Sequence, residues 1–192
     1  MSDESEAVAD ETDDIAGDDA QSSGQQVGMR RIARELWRLH DARATGEIAA
    51  LRRMSRTGIP PAAFHRLMAR ADFPDMSPDT ARCWSRIVGI MAQRPDALRA
   101  PGLGEAMAAV GISEPRLDML LNAQGPALHD LARRTALRIA RDHDRLPYRD
   151  LGELLLYDGR GDPGDEARGD KTRIRIAQSF IRAARKTEKA GG

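Results

Sequence analysis

Ile32, Leu36 and Leu39 fall 4 and 3 apart, with Trp37 beside them, which is the spacing of one helical face and predicts a helix beginning near Met29. Thr45 stands as a cap ahead of Ile48 and Leu51, so a second helix follows, ending at Gly58-Ile59-Pro60-Pro61. A third, from Pro61 to about Ala71, turns Phe64, Leu67 and Met68 inward. Ser77-Pro78 is a start signal, because the hydroxyl can cap and proline tolerates the first helical position, where its missing N–H has no partner to lose. The helix it opens carries Cys83, Trp84, Ile87, Val88, Ile90 and Met91, an apolar arc too wide for a solvent-facing helix, and stops at Arg94-Pro95. It is the expected centre of the N-terminal half.

The second half repeats this punctuation. Ala106, Met107 and Val110 share one side of a short helix that Gly111 can close in the left-handed conformation, and Ser113 can cap the next helix, with Leu117, Leu120 and Leu121 inward. After Gly125-Pro126 a longer helix spaces Leu128, Leu131, Thr135 and Ile139 for burial, while Arg134, Arg138 and Arg141 share another face. Pro147 restarts the chain before Leu151, Leu154 and Leu155. Residues 158–170, nearly all Gly, Pro and charge, are expected to form a mobile loop. A last helix from about Lys171 would pack through Ile174, Ala177, Ile181 and Ala184, leaving Lys171, Arg175, Arg182, Arg185 and Lys189 on the opposite stripe.

Aromatics are only 4% of the 192 residues and alternating runs of Val, Ile, Thr and Tyr are missing, so the fold class expected is all-α. The expected organisation is a disordered acidic tail over 1–28, an N-terminal helical lobe over 29–100 and a C-terminal helical lobe over 101–192. The tail is acidic and polar, with few large apolar side chains to offset the entropy of ordering. It also changes the meaning of the zero net charge. Nine of the 30 acids lie in the first 29 residues with no Lys or Arg, which leaves 21 acids against 30 basic residues, a body of +9. Such a body points to a polyanionic partner.

The single cysteine, Cys83, excludes an internal disulfide framework and fits a reducing, cytoplasmic setting, and its apolar neighbours suggest a buried thiol. No run approaches the ~18 apolar residues of a membrane span. His40, His65, His129 and His143 do not pair with one another or with Cys83 at ligand spacing, so no metal site is expected. Gly102-Leu103-Gly104 lacks a preceding strand and the third glycine of a dinucleotide loop, and the aspartates of 158–170 miss the calcium-loop spacing. The sequence therefore calls for no cofactor and no catalytic constellation. It reads as a binding protein rather than an enzyme.

Its binding chemistry is arginine on helices: Arg52, Arg53 and Arg56 at the end of the second helix, Arg116, then Arg133, Arg134, Arg138 and Arg141, and finally Lys171, Arg173 and Arg175. The bland reading of any one cluster is a solvated helix end complementing the dipole. Distributed over several helices, guanidinium groups can track a phosphate backbone without reading its sequence. With two Trp, two Tyr and three Phe, several committed to the core, a base-stacking platform is not expected. The alternative is a sequence-specific regulator, since AMAAVGISEPRLDMLL has the spacing of a helix-turn-helix, although its second helix offers only Glu114, Arg116, Asp118 and Asn122 between leucines.

Trp37 and Leu39, ALRR at 50–53, Ile59-Pro60 followed by Phe64 and Leu67, GLGEAMAAVGISEPRLDMLL at 102–121 and LARR at 131–134 occur in an order that resembles the small subunit of the type I-E Cascade complex, the CasB family. The resemblance runs from about Arg30 to Arg185. It implies an all-helical, two-lobed, non-catalytic protein that pairs with a second copy among other Cascade subunits, supports the guide RNA and target strand, and helps hold the displaced, non-target DNA strand. Family basic positions correspond here to Arg53, Arg116, Arg133, Arg134, Lys171 and Arg173, while Asn122 and Gly125 stand where basic residues are expected.

Overall fold

The computed structural model describes residues 10–57, 59–73, 75–99, 102–159 and 162–191, and side chains from residue 24 onward except at 57 and 188–191. Its helices are α1 (Asp10–Asp41), α2 (Thr45–Thr57), α3 (Ala62–Arg70), α4 (Pro78–Met91), α5 (Leu103–Ala109), α6 (Glu114–Asn122), α7 (Gly125–Asp142), α8 (Tyr148–Leu156) and α9 (Pro163–Gly191). The fold is all-α. Among the described residues the sheet structure is one parallel pairing of two residues each, β1 (Leu98–Arg99) beside β2 (Leu146–Pro147), entered through a 3-10 turn at Pro95–Ala97.

Punctuation read from sequence sets several boundaries. Ser77 accepts a hydrogen bond from the Thr80 amide at 3.2 Å at the head of α4, and Gly111 closes α5 with φ of +67°. Ser113 occupies the cap position of α6, but its side chain makes no capping bond. The loop expected over 158–170 is largely helix: Asp162 caps α9 through its Oδ1, which accepts from the amides of Gly164 at 2.8 Å and Asp165 at 3.3 Å. Pro163 then takes the first helical position, the same device as Ser77-Pro78.

At the other end, residues 1–9 of the expected tail lie outside the described residues, and α1 starts at Asp10 rather than near Met29. Residues 24–28 already belong to the body. Gly28 is buried with no room for a Cβ beside the Phe73 ring, and Gln26 donates to Glu153 at 3.2 Å.

One continuous apolar cluster runs from Met29, Ile32 and Leu36 of α1 through α2, α3 and α4 to Leu103, Met107, Leu154 and Ile176. It therefore crosses residue 100, and α4 packs on α8 as well as on α2. Two glycines set the closest helix approaches. Gly89 of α4 meets the Ser55 backbone of α2, and Gly104 of α5 lies against the Ile176 carbonyl and the Phe180 amide of α9, leaving no volume for a methyl group at either site.

Two inward faces differ from expectation. In α7 the fully buried residues are Leu128, Ala132, Ala136 and Ile139, whereas Leu131 and Thr135 are half-buried. Small alanines are selected there because α7 is covered by α4, α5 and α8. In α9 the buried stripe is Thr172, Ile176 and Phe180, while Ile174 is 57% exposed and Ala177, Ile181 and Ala184 are half-buried. The tight backbone seat at Gly104 sets the rotation of α9 so that 176 and 180 face fully inward, Ile181 and Ala184 pack at the edge of the core, and Ile174 faces out.

Candidate nucleic-acid interface

The basic residues named from sequence fall into three places. At the end of α2, Arg52 donates from Nε to the Ala92 carbonyl at 2.8 Å and from Nη2 to the Gln93 carbonyl at 3.3 Å, satisfying carbonyls that the end of α4 leaves open. Arg53 and Arg56 beside it are exposed and make no hydrogen bond or ion pair among the described residues.

The second place is a groove between α6 and α7. Arg116 projects from the first turn of α6, and Arg134 and Arg138 project one turn apart from α7, so the packing of α6 on α7 brings all three to one cavity of about 350 Å³. The rest of its lining is Ile112, Met119, Leu131 and Thr135, with Met119 59% exposed. Arg116 is exposed, and Arg134, 69% exposed, reaches Asp130 at 2.6 Å. Arg138 donates to the Val110 carbonyl at 3.0 Å and lies 3.6 Å from Asp142. On the flank, Arg133 faces Asp130 at 3.4 Å, and Arg141 clamps Asp142 at 2.6 and 2.8 Å. That clamp holds the Asp142 carboxyl below the usual range and the Arg141 guanidinium above it. Exposed pairs of this kind contribute little to stability, so a phosphate can replace Asp130 or Asp142 as partner at small cost.

The third place is dispersed. Lys171 is exposed. Arg173 donates to the Leu121 carbonyl at 2.9 Å and so closes the end of α6. Arg175, expected on the outward stripe, bridges Asp150 at 2.7 Å and Glu153 at 2.5 Å, two carboxylates with side chains only 2% and 4% exposed. Burial opposes its charge, but the hydrogen bond it donates to Glu153 and the field of Asp150 more than offset that, and its pKa lies above the ordinary arginine value. Asp150 also accepts from the amides of Gly102 and Leu103 at 2.9 and 2.8 Å, capping α5, and Glu153 accepts from Thr172 and Arg149. Arg175 thus belongs to the framework, and Arg173 and Arg52 are in large part helix closures.

The chain matches no protein-family model, no curated protein and no solved structure. Its chemistry is then read from geometry alone. Among the described residues no group of His, Cys, Asp and Glu is arranged to hold a metal ion, and no helix is long and apolar enough to cross a membrane. A larger cleft of about 740 Å³ lies between α4 and the start of α7, with Arg82, Arg86, His129 and Asp158 on its walls. There Arg86 Nη1 sits 3.3 Å from His129 Nε2, and burial first, then Arg86, holds the imidazole below its ordinary pKa. Asp158 caps α7 by accepting from the Gly125 amide at 2.8 Å. Cys83, on the same wall, is half-buried rather than buried, its Sγ donating to the Leu155 carbonyl at 3.4 Å.

Sequence reading passed over the outer face of α1, where Arg30 and Arg34 are exposed and Trp37 is 51% exposed. The signal was present, since position 37 falls beside the stripe of Ile32, Leu36 and Leu39 rather than on it.

Proposed function

We propose that this protein is a non-catalytic small subunit of a cytoplasmic RNA-guided DNA-targeting complex of the type I-E Cascade kind, paired with a second copy and with other subunits. It holds the guide RNA and the target and non-target DNA strands by their phosphates and so stabilises the R-loop in antiviral defence. The observation that carries this reading is the convergence of Arg116, Arg134 and Arg138 on one groove, with Arg53 and Arg56 as a second exposed cluster. Three guanidinium groups converge in that groove, two of them on exchangeable Asp130 and Asp142 partners, and among the described residues its lining holds no Asn or Gln to read base edges, which suits backbone tracking. A sequence-specific regulator is the competing reading, favoured by the exposed first turn of α6 after the Gly111 turn. Against it, α6 rests mainly on α7, and that turn presents Glu114 as well as Arg116.

Salt titration of DNA binding tests the proposal. Replacing Arg53, Arg116 and Arg134 together by Ala flattens the slope of log affinity against log salt by about two to three units on duplex DNA, alike for all sequences. Thermal stability stays close to that of the parent, because the three are exposed. An unchanged slope refutes the assignment, and one duplex bound ~1,000-fold tighter than unrelated ones establishes the regulator instead.

A further inference from the structure

We infer that the outer face of α1, formed by Arg30, Arg34 and Trp37, is a stacking site for an unpaired base of single-stranded nucleic acid, with the arginines on neighbouring phosphates. The inference rests on the nucleic-acid reading above and adds a kind of contact, to a base face, that the arginine groove does not supply.

The two tryptophans of the chain are treated oppositely by the fold. Trp84 is 5% exposed and packs edge-to-face on Phe73 with ring centroids 4.8 Å apart. Trp37 is 51% exposed although Leu36 and Leu39, its neighbours on α1, are buried. Leaving a large apolar side chain half in water forgoes burial that the other indole obtains and keeps about half of its surface open to a ligand. Arg30, Arg34 and Trp37 are spaced 4 and 3 apart, which sets them on one stripe of α1, about 10 Å long at the helical rise. Arg30 and Arg34 are exposed and make no hydrogen bond or ion pair among the described residues. Arg38, the next residue in sequence, is 61% exposed and faces Glu35. Asp41 ends the stripe, so the favourable direction for a strand runs from the indole toward Arg30.

An aromatic face beside cations is the arrangement that binds single strands with little sequence preference, since every base has a π-face and every nucleotide a phosphate. A duplex keeps its base faces stacked inside and cannot use the ring. A protein partner is disfavoured by the surroundings. Val27, the next exposed large apolar residue along the stripe, lies ten residues and about 15 Å away, with Arg30 and Arg34 between.

The test uses the full chain, titrated with oligothymidylate while tryptophan emission and the anisotropy of an end-labelled copy of the oligonucleotide are followed in parallel. Because Trp84 is buried, the responsive emission belongs to Trp37. The expected result is quenching with the same midpoint as the anisotropy change, and no quenching by a duplex of equal length. Trp37→Leu abolishes the quenching and weakens single-strand binding about tenfold, while Trp37→Phe, which keeps a ring, recovers most of the affinity. Binding seen by anisotropy without quenching overturns the stacking site and leaves the arginine reading intact, as does unaltered affinity in Trp37→Leu. If Trp37→Leu changes only the self-association of the protein, the face is a protein contact and the inference fails. If no oligonucleotide binds at all, both the stacking site and the nucleic-acid reading fall.

Discussion

Truncation of Arg175 to Ala separates a framework arginine from a phosphate ligand. The wild-type guanidinium makes hydrogen bonds of 3.2 and 2.7 Å to Asp150 and of 2.5 Å to Glu153. Removing one partner of a buried ion pair costs about 3–5 kcal/mol, because the charge left behind is neither solvated nor paired. Here two features reduce the loss. Arg175 is itself 36% exposed, so water reaches the vacated side. Asp150 also keeps the amides of Gly102 and Leu103, and Glu153 keeps Thr172, Arg149 and Gln26. The lower end, about 3 kcal/mol, is therefore expected, which at 2–4 °C per kcal/mol for a chain of this size lowers Tm by about 6–12 °C. Urea and thermal melts followed by helical circular dichroism measure it, and the difference persists at high salt because the carboxylates are enclosed. The salt slope of DNA binding by the folded variant is unchanged. A stability change under about 0.5 kcal/mol together with a flattened slope refutes this account and returns Arg175 to the binding face.

Two further outcomes follow from the packing and the titrating groups. Gly104→Ala pushes a methyl group into the Ile176 carbonyl and Phe180 amide, where no rotamer change gives relief, and should destabilise by about 3 kcal/mol or more in urea melts; a loss under about 1 kcal/mol contradicts the close seat of α5 on α9. His129 has a folded-state pKa below its ordinary 6.5, so just below that pH the unfolded chain binds more protons than the folded one. Its contribution is complete above about pH 6.5 and is lost as pH falls toward the folded value; His129→Asn removes that part of the slope, and an unaltered stability–pH profile between pH 7 and 5 shows that the imidazole is not held neutral.

The all-α class and most helix boundaries were legible because local chemistry decides them. Ser77-Pro78, Gly111 and Arg94-Pro95 act on the residues beside them, and Asp162-Pro163 carried the same signal inside a stretch whose glycines and charges suggested a loop. The inward face of α9 was not legible, since Thr172, Ile176 and Phe180 compete with Ile174, Ala177 and Ile181 as apolar stripes at helical spacing. The choice is made by Gly104, more than seventy residues earlier, whose missing side chain admits the backbone near 176 and 180. The same rotation carries Arg175 from the expected solvent stripe to Asp150 and Glu153. Of the candidate site, Arg53, Arg56, Arg116 and Arg134 were readable as exposed bases from their place off the apolar stripes. That Arg52 and Arg173 would close other helices depends on carbonyls distant in sequence.

Glu153 is met by residues from both ends of the chain, Gln26 of α1 and Arg175 of α9. For a chain made from its N-terminus, this dictates an order of events. Until α9 is in place Glu153 can be met only by Arg149 and Gln26, without Thr172 and Arg175, and the face of α5 that receives Ile176 and Phe180 is uncovered. The last helix supplies at one stroke the cation for two enclosed acids and the cover for an apolar surface. Closure of the fold therefore waits on α9, and a chain cut before Pro163 is expected to leave that apolar face open and Asp150 without its cation, a form for chaperones and proteases to sort.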